Sequence, residues 1–242
     1  SLKALDFSGR YEPGEHDALD VRLTMDRFDL RFLDPYMPEG MSDLQGIVTG
    51  TIDVNGPLDG PRIAGSAMID QGGMRIDYLN TSYTFSHRVD INDDMITLDN
   101  VLVHDELGNT ARLGGTIIHE GLEHWNFNVW GSMEDMLVLN TTVNDNSLYY
   151  GKAFATGTFE VSAYAGSLEV TLDAESARGT TLALPLGGST EVSSIDFVRF
   201  LSHGEHLVVL REDLDLSGVA LDMNVHVDRD ARIELIFDPT VG

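Results

Sequence analysis

Cysteine is absent from this chain of 242 residues. Disulfides, thiolate metal sites and cysteine nucleophiles are excluded together, while the compartment stays undecided. Positive charge is scarce: 15 Lys and Arg stand against 40 Asp and Glu, for a formal charge of −25. Such a balance repels phosphate backbones, which excludes nucleic acid as a partner, and disfavours adsorption to anionic headgroups. It also keeps a protein with apolar surfaces in solution. No run approaches the ~20 apolar residues that cross a bilayer as a helix, so this stretch is expected to carry no membrane span of its own. The opening, Ser1 to Asp6, is too polar for a signal peptide. Phe237 to Gly242 read as a turn, with no closing element, and we expect a piece cut from a longer protein at both ends. Nucleophile elbows, phosphate loops and dinucleotide fingerprints are missing, so neither catalysis nor a cofactor is expected.

What the chain has is alternation. Val48, Gly50, Ile52 and Val54 share one parity, with Thr49, Thr51 and Asp53 on the other. The same holds for Ile63 to Ile69, for Ala111, Leu113, Gly115 and Ile117, and for Trp125, Phe127 and Val129. Later, Leu221, Met223 and Val225 alternate with Asp222, Asn224 and His226, followed by Ile233, Leu235 and Phe237. A period of two with one wet face predicts half-buried strands, ordinarily paired antiparallel. Turn chemistry separates the runs at Asn55-Gly56-Pro57, Asp59-Gly60-Pro61, Gln71-Gly72-Gly73, Asn92-Asp93-Asp94, Gly108-Asn109 and Glu120-Gly121. The fold class is therefore all-β, a meander of many short strands with few or no helices. Leu30 to Tyr36 reads as a short helical turn, and Ser194 to Leu201 as a short helix or irregular strand. Thr49-Gly50-Thr51-Ile52 is echoed by Thr156-Gly157-Thr158-Phe159, and Gly-Ser or Gly-Thr before an apolar residue recurs at Gly65, Gly115, Gly131 and Gly166. One reading of the echo is a stacked architecture reusing a strand–bend–strand unit; the other is glycine wherever strands pack closely.

Polar clusters give no chemistry. His119-Glu120-Gly121-Leu122-Glu123-His124 is one residue too long for a zinc-protease helix, and Gly121 breaks a helix, so a hairpin turn with exposed charges is expected. His203-Gly204-Glu205-His206 lacks a third ligand. Asp90, Asn92, Asp93 and Asp94 begin like a calcium loop but lack its glycine and distal glutamate.

The order of segments is more informative. Phe28–Tyr36 precedes the glycine-punctuated Leu44–Gly56, and a Pro-containing turn leads to Pro61–Ala67. Ile96–Val101, Ala111–Ile117, Leu148–Gly157, Ser176–Leu186 and Asp228–Pro239 follow. This series, covering most of residues 25–242, resembles the C-terminal domain of TamB, of the translocation and assembly module and the AsmA-like superfamily. The resemblance implies a β-taco, an elongated curved sheet folded into a trough with an apolar interior. It implies one domain over 1–242, truncated at both ends, with a weak subdivision allowed near 190–206. It also implies a periplasmic location within an inner-membrane-anchored protein and an outer-membrane TamA- or BamA-like partner. The implied cargo is phospholipid or nascent outer-membrane protein strands, and the family has no catalytic residues to carry over.

One-sided strands must bury their apolar face against something. The residues expected on the trough floor are Val48, Ile52, Val54, Ile63, Ile69, Leu113, Ile117, Trp125, Phe127, Val129, Val161, Leu168, Val170, Leu172, Leu221, Met223 and Val225. Each acyl methylene costs about 0.8 kcal/mol to expose, so a chain of ~16 carbons costs roughly 12 kcal/mol. An outer-membrane strand has a comparable need, because its lipid-facing residues alternate too, and the physics leaves both cargoes open. Two other readings of the residues stand beside this one. One is a closed β-sandwich binding carbohydrate through Trp130, Tyr149, Tyr150 and Tyr164; the other is a β-helical carbohydrate enzyme.

Overall fold

The computed structural model describes residues 4–14, 18–37, 40–120, 123–145, 149–164, 167–186 and 219–237. Ser194 to Leu201, the subdivision near 190–206 and the His203–His206 cluster lie outside the described residues. The strands are β1 (Leu5–Tyr11), β2 (Leu19–Asp29), β3 (Met41–Gly56), β4 (Arg62–Ile76), β5 (Thr81–Asn92), β6 (Met95–Asp105) and β7 (Thr110–Glu120). They continue with β8 (Glu123–Thr141), β9 (Tyr150–Tyr164), β10 (Ser167–Ser176), β11 (Thr181–Leu186), β12 (Val219–His226) and β13 (Arg232–Phe237). A 3₁₀ helix, Leu30–Tyr36, joins β2 to β3, with the Asp29 carboxylate accepting from the Arg31 N–H at its start.

All thirteen strands form one sheet, in the order β1 through β10 and then β12, with β11 bridging β9 and β13. Pairing is antiparallel throughout the meander, because short turns of the expected kind reverse the chain: β3 ends at Gly56 and β4 begins at Arg62, β5 ends at Asn92 and β6 begins at Met95. β12 on β10 and β13 on β11 are the parallel pairs. The sheet is open and curled, an all-β trough. The closed sandwich does not form, because β1 and β12 stand at opposite ends of one strand order. The β-helix does not form either, since successive strands pair antiparallel.

The curl has a local origin. Arg27, Gln71, Asn100 and Asp135 hold left-handed φ values of 56°, 51°, 51° and 50° inside strands, not in turns. Each sits at a register shift: Met25/Phe28 on β2, Ile69/Gly72 on β4, Leu98/Val101 on β6 and Met133/Met136 on β8. A bulge bends its strand and increases the twist, so a row of bulges crossing alternate strands is a crease. The local sequences share one pattern, an apolar residue, an acid, the left-handed residue and an apolar residue or glycine: Met25-Asp26-Arg27-Phe28, Ile69-Asp70-Gln71-Gly72, Leu98-Asp99-Asn100-Val101 and Met133-Glu134-Asp135-Met136. Three of the turned-out N–H groups donate to a hydroxyl on the next strand, Arg27 to Thr49, Gln71 to Ser86 and Asp135 to Thr156. Gln71-Gly72-Gly73 is thus a bulge within β4 and not the expected turn, because the extra residue is absorbed between β3 and β5 without reversing the chain. The architecture does reuse a unit, but as bulged strands of one sheet and not as stacked layers. The glycine echo has the close-packing cause: a Cβ at Gly50 would meet the Ala67 Cβ at 2.8 Å, and one at Gly157 the Ala174 Cβ at 2.8 Å.

The buried core lies along the crease. Val101, Val103, Ala111, Met133, Met136, Ala155 and Ala174 form one cluster, flanked by Phe85, Leu98, Leu113, Phe159 and Leu172. Met25, Val48 and Ala67 form a second, covered in part by Leu30 of the 3₁₀ helix. β8 runs past the start of β7 and folds back toward β5 and β6, where four hydrogen bonds fasten it. The Leu137 N–H donates to Asp105 at 2.8 Å and the Tyr83 hydroxyl to the Leu137 carbonyl at 2.9 Å. The Asn140 N–H donates to the Leu79 carbonyl at 2.9 Å and the Asn80 amide to the Asn140 carbonyl at 2.6 Å. Leu137, 1% exposed, is sealed beneath this strap.

Candidate functional site

The register places the apolar residues on a common face. Val48 pairs with Phe28 and Ile69, Ile52 with Leu23 and Gly65, and Val54 with Val21 and Ile63. Ile117 pairs with Ile96 and Phe127, and Leu113 with Val101 and Gly131. Val129 faces Gly115 and Val161; Val161 faces Val170, and Leu172 faces Phe159. Leu168, Val170 and Leu172 pair with Val219, Leu221 and Met223, and Ala174 with Val225. The described backbone register carries these pairs along one side of the sheet, and Trp125 has the parity of Phe127 on β8.

Those positions do not share one environment. Val48 and Ile63 are buried, and Ile52, Ile69, Leu113 and Leu172 pack against the buried clusters. These belong to the dry crease. Val54, Ile117, Phe127, Val129, Val161, Leu168, Val170, Met223 and Val225 are half-buried. Trp125 is 50% exposed and tilts over the His119 ring, with centroids 5.0 Å apart. The His119 side chain is 1% exposed, so the expected hairpin forms between Glu120 and Glu123 while the exposed-charge expectation fails at His119, which Trp125 covers. The half-buried band is the accessible part of the apolar face. From β5 through β10 to β12 it crosses seven neighbouring strands, about 30 Å at ~4.8 Å per strand. That exceeds one acyl chain, about half of the ~30 Å hydrocarbon core, and matches an extended segment of 9–11 residues.

Sequence reading missed several members of the band. Val89 and Ile91 on β5, Ile96 on β6 and Ala163 on β9 are half-buried; Ile96 pairs with Ile117 and Ala163 with Phe127, while Val89 and Ile91 face Ala67 and Gly65 on β4. Val89 and Ile91 were legible, since they alternate with Arg88 and Asp90. β6 was not, because the bulge at Asn100 switches the inward parity from Ile96 and Leu98 to Val101 and Val103.

The opposite face carries the charge. Asp26, Asp70, Asp99 and Glu134 are exposed at the bulges. Arg22 makes a two-pronged pair with Asp53, at 2.7 and 3.0 Å, which holds the Asp53 carboxyl below its ordinary pKa. Trp130 pairs in register with Glu160 on this polar side. Tyr164 lies four residues beyond Glu160 along β9, while Tyr150 opens the same strand. At ~3.3 Å per residue Trp130, Tyr150 and Tyr164 are spread along the strand direction, and among the described residues these three do not form one contiguous patch.

The strap contains the most perturbed carboxyl. Asp105 is 6% exposed, and burial alone would raise its pKa. The N–H groups of Leu137, Leu107 and Asn109 and the Asn109 amide outweigh that cost, and the net shift is downward. Burial raises the Tyr83 hydroxyl above its ordinary value, with the Asp105 and Glu106 carboxylates adding to it, so Tyr83 stays a neutral donor to Leu137. A separate polar cleft of about 430 Å³ lies between Arg31, Asp34, Gln45, Met74 and Tyr83. Its Arg31 is already paired with Asp29, and Asp34 accepts from the Leu44 N–H. Among the described residues no group of three or more His, Asp or Glu is placed to hold a metal, and no helix is long and apolar enough to cross a membrane.

A family model, the TamB C-terminal domain, matches residues 99–241, more than half of the chain. No curated protein and no solved structure matches.

Proposed function

The chain belongs to the TamB C-terminal domain family, and we propose that it is a non-enzymatic conduit or chaperone whose half-buried apolar band carries cargo across the periplasm. The family is one of transport and assembly in the cell envelope. The single observation that carries the proposal is the division of one apolar face into a dry crease and an accessible band. A closed domain has no use for a second row of half-exposed Ile, Val, Leu and Phe, whereas a carrier needs apolar surface that stays reachable. The cargo is a phospholipid acyl chain or a nascent outer-membrane strand, both of which expose apolar surface at a cost of several kcal/mol. The location is periplasmic, within a protein anchored in the inner membrane, with an outer-membrane TamA- or BamA-like protein as partner. The contact residues are Val54, Ile117, Trp125, Phe127, Val129, Val161, Leu168, Val170, Leu221, Met223 and Val225. Val48, Ile52, Ile63, Ile69, Leu113 and Leu172 form the floor beneath.

The test is a pair of charges on the band. Phe127→Asp with Val161→Asp should lower acyl-chain transfer between vesicles, or assembly of an outer-membrane barrel, by at least about tenfold. The cost in folding stability should be smaller than for a buried site, because both positions are half-wet. Unimpaired transfer and assembly by the folded double variant would remove the band from the mechanism.

A further inference from the structure

Two strands join this sheet differently from the rest. Through β10 each strand follows its neighbour by antiparallel meander, whereas β12 and β13 come from a distant stretch of the chain and pair parallel with β10 and β11. Parallel pairs need a crossover and are slightly weaker per residue. The register continues the apolar face by one more strand, Leu168 to Val219, Val170 to Leu221, Leu172 to Met223 and Ala174 to Val225. Yet none of the described side chains on β12 or β13 is buried, and Leu235 and Ile236 are each 38% exposed. The side-chain links are few: Asn224 to Asp173 at 3.2 Å and Arg178 to Asp230 at 3.4 Å lie at the surface, and the Asp228 N–H donates to the Ser176 hydroxyl in a part-buried bond at 2.9 Å.

The edge that receives them is fixed from its other side. The Thr180 hydroxyl accepts from the Phe154 N–H at 3.0 Å and donates to the Ala177 carbonyl at 2.8 Å. Ala174, Ser176 and Thr180 are buried. A rigid edge thus holds a lightly anchored occupant, whose recognition rests on main-chain pairing and alternation rather than on deep side-chain pockets. We infer that the edge of β10 and β11 is a strand-acceptor site, occupied exchangeably by the chain's own β12 and β13, that takes an extended segment of another polypeptide with the same apolar alternation. This deepens the proposed conduit by naming one cargo class, and rests on that reading.

Hydrogen exchange on the full chain tests it first. Amides of β12 and β13 should exchange at least about 100-fold faster than those of β8 and β9, through a separate opening. Exchange of all four at one common rate overturns the inference. Second, Met223→Pro with Ile233→Pro should vacate the edge. A labelled peptide with the sequence of residues 219–237 should then bind that variant at least about tenfold more tightly than the unaltered chain. A peptide of the same composition with its alternation scrambled should not bind. A variant that keeps its β-sheet circular dichroism but ignores the peptide also overturns the inference; if the variant does not fold, the exchange rates decide alone. A fluorescent fatty acid separates the two readings: its binding without peptide binding sinks the acceptor site and leaves the conduit, while failure of both sinks both.

Discussion

Removing the Asp105 carboxylate tests whether the strap holds the trough in shape. Its Oδ1 accepts from the N–H groups of Leu107 and Asn109 at 2.8 and 2.9 Å, and its Oδ2 from the Asn109 amide at 2.9 Å and the Leu137 N–H at 2.8 Å. These partners are not equivalent. Leu107 is 58% exposed, so its N–H can turn to water once the carboxylate is gone, while Leu137 is 1% exposed and its N–H cannot. An orphaned buried donor costs about 1–3 kcal/mol, and loss of the turn's charge-assisted bonds adds about 1 kcal/mol. Asp105→Ala should therefore lower stability by about 2–4 kcal/mol. Asp105→Asn should come close to it, because one amide oxygen cannot serve both sets of donors and its NH₂ meets another donor.

Urea unfolding followed by circular dichroism and tryptophan fluorescence reads the loss, with the exposed Asp99→Asn as a control within about 0.5 kcal/mol of the parent. The pH dependence has a fixed sign. The folded-state pKa of Asp105 lies below the unfolded value of about 3.9. Its contribution is therefore complete above that value and fades as pH falls through it toward the folded pKa. The gap between parent and Asp105→Ala should be constant from pH 7 to about pH 5 and shrink below about pH 4. A parent and variant of equal stability at pH 7, or a gap that widens on acidification, would refute the reasoning.

Two further outcomes bear on the crease. Gln71→Gly should be neutral or stabilising by up to about 1 kcal/mol, while Gln71→Val should cost about 1–2 kcal/mol, because a β-branched residue resists the left-handed conformation held there at φ 51°; equal urea midpoints for the two variants would show that the backbone is not the constraint. Gly157→Val should cost about 3 kcal/mol or more by overpacking, since its Cβ would meet the Asp173 carbonyl and the Ala174 Cβ, and a melting curve matching the parent would disprove the close approach.

The sequence disclosed the strands more readily than their curvature. Wherever a run is uninterrupted, as at Val48 to Val54 or Phe127 to Val129, period-two alternation gives the strand and its inward face together. Alternation breaks at Asp99-Asn100 and at Asp70-Gln71, and the second pair, beside Gly72-Gly73, resembles turn chemistry. Only pairing to both neighbouring strands distinguishes a bulge from a reversal, and that information is not local. The strap was partly readable: Asp105-Glu106-Leu107-Gly108-Asn109 has the composition of an Asp-anchored turn. Its burial was not, because it depends on Leu137, 32 residues away. Parity placed the floor residues on a common side but carried no information about depth, so Val48 and Phe127 looked alike although one is core and the other is accessible.

That difference in depth lets an open apolar sheet persist. A flat sheet with one greasy face invites pairing and stacking with its copies. Here each bulge serves two ends. It bends its strand, so the apolar residues on either side of the crease, such as Leu98 and Val101, join one cluster. It also turns an acid outward beside the bend, as at Asp26, Asp70, Asp99 and Glu134. The crease supplies stability from residues outside the accessible band, and the outward acids oppose association of two like-charged copies. The half-buried band is thereby relieved of holding the fold together. Its residues need only remain apolar and inward-facing, a requirement that many combinations of Ile, Val, Leu and Phe satisfy. An open sheet of this kind can vary its accessible apolar surface widely while the bulge quartets, Asp105 and the close-packed glycines stay fixed, and the constraint on its sequence falls on the bends rather than on the accessible face.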